Sequence, residues 1–383
     1  MTPFDFHPRT RFVFGEDKID MLGQLAAELG AKRALVVSDP GIVAAGHTQR
    51  GIDSLAAAGV DTLLHDHVCE NPTTAEVESG RAVAAEYQPD LIVGLGGGSS
   101  MDCAKGINFV HTNGGQMKDY WGRDKATKPM LPMITVPTTA GTGSEAQSFA
   151  LISDPDTHAK MACGDKKATC RIAILDPRLT LTQPPLVAAL TGVDALSHAL
   201  ETYVTKARTP ISSAISLSAW RLIAANFGRV LDSPDDLEAR SGMQMGACLA
   251  GLAIENSMLG AAHALANPVT AHYDVIHGQA VGIVLPHVIR FNGEEFASWY
   301  RELLGACGDI AEAPSPDAGP DGLAGFVTDL VAKAGLATRL SDCNVDRDKL
   351  PQLATDAATQ WTGTFNPRPV SPSDLLAIYE RAY

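Results

Sequence analysis

The sequence predicts an α/β protein that becomes all-helical about half-way along. Residues 1–180 read as an N-terminal dinucleotide-binding domain with a mostly parallel sheet, and residues 181–383 as an all-α C-terminal domain. Three observations carry this reading. Short apolar runs alternate with helical periods over the first half, the rhythm of a parallel sheet covered by helices. One of these runs leads straight into a glycine-rich loop and a helix start. After Asp176-Pro177 the strand-like runs cease and long helical patterns take over.

The elements follow in order. Residues 11–14 (RFVF) read as a strand, and Ile19, Leu22, Ala26 and Leu29 recur at helical spacing before Gly30. ALVVS (34–38) is a buried strand, 50–58 helical, 61–68 an alternating strand and 73–87 helical. LIVGL (91–95) is a second buried strand, followed by helix over 99–110 and a strand at 133–136. SFALIS, KMACG and RIAIL (148–175) read as three more strands, the first two joined by a turn at Asp154-Pro155-Asp156. From 185 onward the long patterns 210–231 and 235–257 are helical, and EAPSPDAGPDG (312–322) reads as a loop.

Composition narrows the function classes. The 383 residues are 45% hydrophobic and 19% charged, ordinary for two globular domains that need no disulfide or structural metal to fold. A net charge of −14 disfavours nucleic acid and anionic membranes as partners. No apolar stretch suits a membrane span and the N-terminus lacks a signal-peptide pattern, so the expected location is cytoplasmic. Seven scattered cysteines without a CxxC fit a reducing compartment and argue against a cysteine-based zinc site.

The loop Gly96-Gly97-Gly98-Ser99-Ser100 joins a buried strand to a helix N-terminus. Bare backbone N–H groups and the helix dipole make such a turn a phosphate cradle. The spacing departs from GxGxxG, because Gly94-x-Gly96-x-x-Ser99 ends in serine, and the bland alternative is a tight turn. Two neighbours favour the nucleotide. Thr138, Thr139 and Thr142 stand in a hydroxyl- and glycine-rich segment after the strand MITV, where open sheets bind ligands. Asp39 ends the strand ALVVS; a carboxylate there accepts from ribose hydroxyls and repels a 2′-phosphate, favouring NAD over NADP. Its bland reading is a turn residue before Pro40.

The helical half holds the metal signal. Asp194 and His198 are four apart in an apolar setting, hence on one helix face. A carboxylate and an imidazole there must be paired or ligating. His263 sits among small residues and His277 opens a helix. One carboxylate with three imidazoles suits Fe²⁺ or Zn²⁺ rather than Mg²⁺ or Ca²⁺, and an open position would make the site catalytic. His7, His47, His65, His67, His111, His158 and His287 lack such a setting and read as surface or packing residues.

Taken together, these segments resemble the iron-containing alcohol dehydrogenases, a family with the dehydroquinate-synthase-like fold. The likeness runs through Asn71-Pro72-Thr73, GGGSSMDCAK, PTTAGTGSE, TGVDALSHALETY, GAAHALANP, HGQAVGIVLPHVIRFN and Asn366-Pro367-Arg368-Pro369. The resemblance implies metal ligands at Asp194, His198, His263 and His277, with iron the expected ion and zinc the alternative. It implies a pyrophosphate loop at Gly97, Gly98 and Ser99, cofactor contacts from Asn71, Thr138, Thr139 and Thr142, an adenosine-side acid at Asp39, and a lysine near the nicotinamide ribose at Lys160. Relatives often carry a second histidine four residues after the third ligand; here that position is Asn267, which cannot titrate, and His272 is the substitute to test as a proton relay.

The expected activity is hydride transfer between a primary or secondary alcohol, or the matching aldehyde or ketone, and NAD. Alternatives within the fold are a maleylacetate-type oxo-acid reductase or a polyol dehydrogenase, and, less in keeping with metal segments poor in Lys and Arg, a metal-dependent lyase. Phe149, Trp121 and Ile254 are candidates for the substrate pocket. The resemblance also implies a homodimer or higher homo-oligomer.

Overall fold

The computed structural model describes residues 3–156, 159–308, 310 and 312–383, so His158 lies outside the described residues. The chain forms two compact units. One comprises His7–Thr139 and Gly143–Gln183; the other comprises Pro184–Tyr383 with Ala140–Thr142 and the N-terminal residues up to Phe6.

Among the described residues the first unit is built on nine strands: β1 (Arg11–Phe14), β2 (Arg33–Val37), β3 (Asp61–His65), β4 (Leu91–Gly96), β5 (Gly122–Arg123), β6 (Met133–Pro137), β7 (Phe149–Ser153), β8 (Lys160–Gly164) and β9 (Ile172–Leu175). Between them run α1 (Leu22–Glu28), α2 (Pro40–Ala44), α3 (His47–Ala57), α4 (Thr74–Tyr87) and α5 (Gly98–Asn113). Six strands form one sheet in the order β1-β9-β6-β4-β2-β3, parallel throughout. Its centre is covered on both faces, which is why β4 and β6 are apolar runs without alternation and fully buried. Successive side chains still part to opposite faces. Leu35, Val37 and Ile92 join one core cluster, while Ala34, Val36, Leu91 and Val93 join the other.

The mostly parallel sheet agrees with the expectation, with local corrections. The strand expected over 61–68 stops at His65, and the helix expected over 99–110 runs Gly98–Asn113. The short helix α2 was not foreseen; Asp39 caps it by accepting from the Ile42 N–H at 3.1 Å, with Pro40 at the first helical position. SFALIS and KMACG do not extend the main sheet. They form an antiparallel pair within a separate three-stranded sheet, β5-β8-β7. The third run, β9, inserts between β1 and β6.

The second unit is helical: α6 (Pro185–Val204), α7 (Pro210–Asp232), α8 (Leu237–Glu255), α9 (Ala261–Tyr273), α10 (His277–Ala306), α11 (Gly319–Lys333), α12 (Leu350–Ala358) and α13 (Pro372–Ala382). No strand falls in it among the described residues. The segment 312–322 is not simply a loop: it holds a 3-10 turn at Pro316–Ala318 and the start of α11. Helix α6 packs against α7, α8 and α10 and is buried along nearly its whole length. Small residues permit the close approach. A Cβ on Gly192 would stand 2.2 Å from the Phe227 ring, and one on Gly278 would stand 2.2 Å from the Leu190 carbonyl oxygen. None of the helices is long and apolar enough to cross a membrane among the described residues.

Candidate functional site

Burying α6 on all sides sets a problem for its polar residues, since each buried polar group needs a partner. Asp194 and His198, one turn apart, are 7% and 6% exposed. His263, in the first turn of α9, is 4% exposed, and His277 opens α10. The Nε2 atoms of His198, His263 and His277 stand 3.3, 3.6 and 3.8 Å from a single atom, Oδ1 of Asp194. Asp194, His263 and His277 each offer a ligand atom within 4.8 Å of the others, and His198 joins this group through Asp194. Oδ1 of Asp194 and Nε2 of His263 are fully buried and make no hydrogen bond. Unsatisfied atoms of this kind on α6 and α9, with His277 of α10 facing the same carboxylate oxygen, make the donor set a divalent ion fills.

Electrostatics point the same way. Burial works against the Asp194 carboxylate, yet the facing imidazoles of His198, His263 and His277 hold its pKa below the usual range. Burial lowers His198. Burial would lower His263 too, but the carboxylates of Asp194 and Glu201 outweigh it and lift it to about 9. Two carboxylates around one imidazole leave negative charge to be neutralised, by a proton or by a metal cation.

Glu201 was not singled out in the sequence, although its place was readable: it lies on α6 at three and seven residues beyond His198 and Asp194, the same face. Its Oε2 binds Nδ1 of His263 at 2.6 Å, which turns the Nε2 lone pair toward Asp194. Its Oε1 accepts from the Ala262 N–H at 2.8 Å. Oδ1 of Asn366 accepts from the neighbouring Ala261 N–H at 3.3 Å and from Asn292 at 3.0 Å. Together these two side chains cap α9, whose own N-cap residue, Gly260, has none; a Cβ there would stand 3.0 Å from Glu201 Oε1. The Asn366-Pro367-Arg368-Pro369 segment is therefore tied to the ligand helix.

Further along α9 lie Asn267 and the proposed relay, His272. Asn267 donates from Nδ2 to Gln360 Oε1 at 3.0 Å. His272 lies in the last turn of α9, half exposed, with Nε2 2.9 Å from Asp356. The structure does not bring His272 into the ligand group.

The nucleotide residues assemble in the α/β unit at the carboxyl ends of β2, β4 and β6. Gly96 has φ +149°, a conformation that a side chain would strain, and a Cβ there would meet Ser100 Oγ at 2.5 Å. Gly97 is the N-cap of α5, so Gly98 and Ser99 offer the first free N–H groups of that helix. Ser99 Oγ accepts from the Asn71 N–H at 3.1 Å, and Lys160 Nζ donates to Asn71 Oδ1 at 3.2 Å. Asp39 Oδ2 accepts from Ser100 Oγ at 2.9 Å. Thr139 flanks Gly97, and Thr138 has a buried hydroxyl without a hydrogen-bond partner. Thr142 groups with the helical unit. A second feature missed in the sequence is Lys105 on α5, wholly buried. Its Nζ donates to Ser144 O and Oγ, both at 2.7 Å, and to Phe149 O at 2.8 Å, tying the segment after β6 to the helix that carries the loop. Of the pocket candidates, Phe149 is buried under the Arg123 guanidinium, Trp121 is exposed and Ile254 is buried on α8.

The family model described as iron-containing alcohol dehydrogenase matches residues 8–177, and that of the Fe-containing alcohol dehydrogenase family, C-terminal, matches 188–383. The chain belongs to the iron-containing alcohol dehydrogenases. It is 34% identical over 382 residues to the 1,3-propanediol dehydrogenase of Klebsiella pneumoniae, covering 98% of this chain and 97% of that one. It is 31% identical to the NAD-dependent methanol dehydrogenase of Bacillus methanolicus, covering 100% of each. Among solved structures, a 1,3-propanediol oxidoreductase superposes with a TM-score of 0.94 at 32% identity over 100% of both chains. The α/β-then-helical fold expected from the sequence is that of this dehydrogenase family.

Proposed function

We propose that this alcohol dehydrogenase holds one divalent metal, Fe²⁺ or Zn²⁺, on Asp194, His198, His263 and His277, uses NAD, and interconverts a small alcohol with its aldehyde or ketone. The observation that carries the reading is the convergence of three Nε2 atoms on one unbonded carboxylate oxygen, with His263 oriented by Glu201. When bound, the ion supplies Lewis acidity toward the alcohol or carbonyl oxygen, and the nicotinamide ring takes or returns the hydride.

The chain's own residues do the rest. Gly97, Gly98 and Ser99 present backbone N–H groups to the pyrophosphate at the α5 N-terminus. Each Asp39 carboxylate oxygen accepts one hydrogen bond within the protein and keeps a lone pair for a ribose hydroxyl, which favours NAD over NADP. The cofactor named for the methanol dehydrogenase relative supports that choice. Lys160 and Asn71 form a pair suited to the nicotinamide ribose, with Thr138, Thr139 and Thr142 as further cofactor contacts. Asn267 hydrogen-bonds without titrating, so the proton leaves by another route. Cytoplasmic placement is supported by seven free cysteines, and a homo-oligomer remains part of the reading.

The test is metal analysis joined to NADH absorbance. Enzyme reconstituted with Fe²⁺ or Zn²⁺ should bind one ion per chain and reduce NAD with a panel of alcohols and diols. His263→Ala and His277→Ala should lose most of the ion and nearly all turnover. Full metal occupancy in both variants would place the ion elsewhere.

A further inference from the structure

A second charged feature lies at the opposite, amino edge of the parallel strands. His7, Pro8 and Arg9 lead into β1, while Lys166, Lys167, Thr169 and Arg171 lead into β9; together they line a cavity of about 320 Å³. Four of the seven residues are lysine or arginine, a fifth is histidine, and none is acidic. That is out of character for a chain with 44 carboxylates against 30 lysines and arginines. Several arginines elsewhere are matched, among them Arg11 with Glu28, Arg50 with Asp17 and Asp20, and Arg229 with Asp236 and Glu238. Among the described residues, only Lys167 of this cavity has a carboxylate partner, Asp165 at 3.2 Å.

The frame beneath these side chains is well tied. Thr10 Oγ1 donates to Cys170 O at 2.8 Å, the Arg11 N–H to Arg171 O at 3.0 Å, and the Arg171 N–H to Met133 O at 2.8 Å. Asp165 caps the turn that carries Lys166 and Lys167. Held on such a frame, like charges repel one another and create a standing positive potential. Guanidinium forks match pairs of phosphate oxygens, and lysines add point charge.

We propose that this cavity binds a compact oligophosphate, through Arg9, Lys166, Lys167 and Arg171. The cavity is half open, and its volume is at the lower end of the range of small-ligand sites. The site is distinct from the α5 loop, which follows the carboxyl end of β4; a four-residue strand such as β9 separates the two edges by roughly 13 Å. It therefore stands whether or not the dinucleotide reading is right.

The probe is inorganic tripolyphosphate, titrated calorimetrically at constant ionic strength into the enzyme with NAD present at saturation. Adenosine triphosphate is run in parallel to tell a bare phosphate chain from a nucleotide tail. The expected result is one saturable site, with equal affinity for the two ligands because only the phosphates engage. Lys166→Glu combined with Arg171→Glu should weaken both at least tenfold, with melting temperature and NAD-linked turnover unchanged; Arg9→Ser should weaken both to a lesser degree. No saturable heat with tripolyphosphate overturns the proposal. So does wild-type affinity in the charge-reversed variant, which would place the anion elsewhere, and so does adenosine triphosphate binding that outlasts the reversal.

Discussion

His263 works with both ring nitrogens: one faces Asp194, and the other is spent on Glu201. Partners in Glu201's position tune metal affinity by about 10–100-fold. Glu201→Gln is expected to keep the fold and weaken the ion by that factor, read from metal retained against graded chelator; unchanged retention would reduce Glu201 to a helix cap. Asp39 is expected to set cofactor choice. Asp39→Gly should lower kcat/KM with NAD and raise it with NADP, and a wild type that uses NADP equally well refutes the assignment. His272 is expected to matter little to turnover. Its partner is Asp356 and the pair is half exposed, so His272→Ala should leave kcat near wild type across pH 6–9 and cost no more than about 1 kcal/mol of stability. A tenfold fall in kcat with metal retained would restore it as a relay.

At the level of elements, α6 and α10 meet where Gly278 lies on the Leu190 carbonyl. Gly278→Ala pushes backbone against backbone, and His277 sits one residue away on the displaced turn. The expected outcome is weaker metal binding with all four ligands intact, together with a lower melting temperature; retained affinity would show that α10 can shift without moving His277. Periodicity made most elements legible, because β2, β4 and β6 are apolar runs and α6 to α8 are long. It did not show which strands share a sheet. β7 and β8 look like sheet members by composition, and their pairing with each other and of β8 with β5 sets them apart. Of the candidate site, residues within a motif were readable, such as Asp194 with His198 or Gly97 with Ser99. The contacts that tie motifs together were not. Glu201 to His263 spans 62 residues, and Lys105 to Phe149 spans 44. No local pattern announces such pairs.

For the whole molecule, all four proposed ligands lie in the helical unit. An ion held there at a thousand times its dissociation constant adds about 4 kcal/mol to that unit's stability. Chelation should therefore speed hydrogen exchange in α6, α9 and α10 and leave β2, β4 and β6 at their former rates. Uniform acceleration across the sheet would place the ion outside the helical unit.

The strand order carries a consequence for the birth of the chain. Among the described strands β1 comes first in the sequence, yet the one strand it pairs with there is β9, with Arg11 opposite Ile172. At about 5–20 residues per second, it waits on the order of 8–30 s for that partner to be translated. Through that interval RFVF is a bare apolar edge, four residues long and next to the basic stretch at His7 and Arg9. Brevity and nearby positive charge are the usual guards of an unpaired edge against a neighbouring chain. Of the residues that line the amino-edge cavity in the finished protein, His7, Pro8 and Arg9 are the ones already beside β1 while it waits, and the rest arrive with its partner.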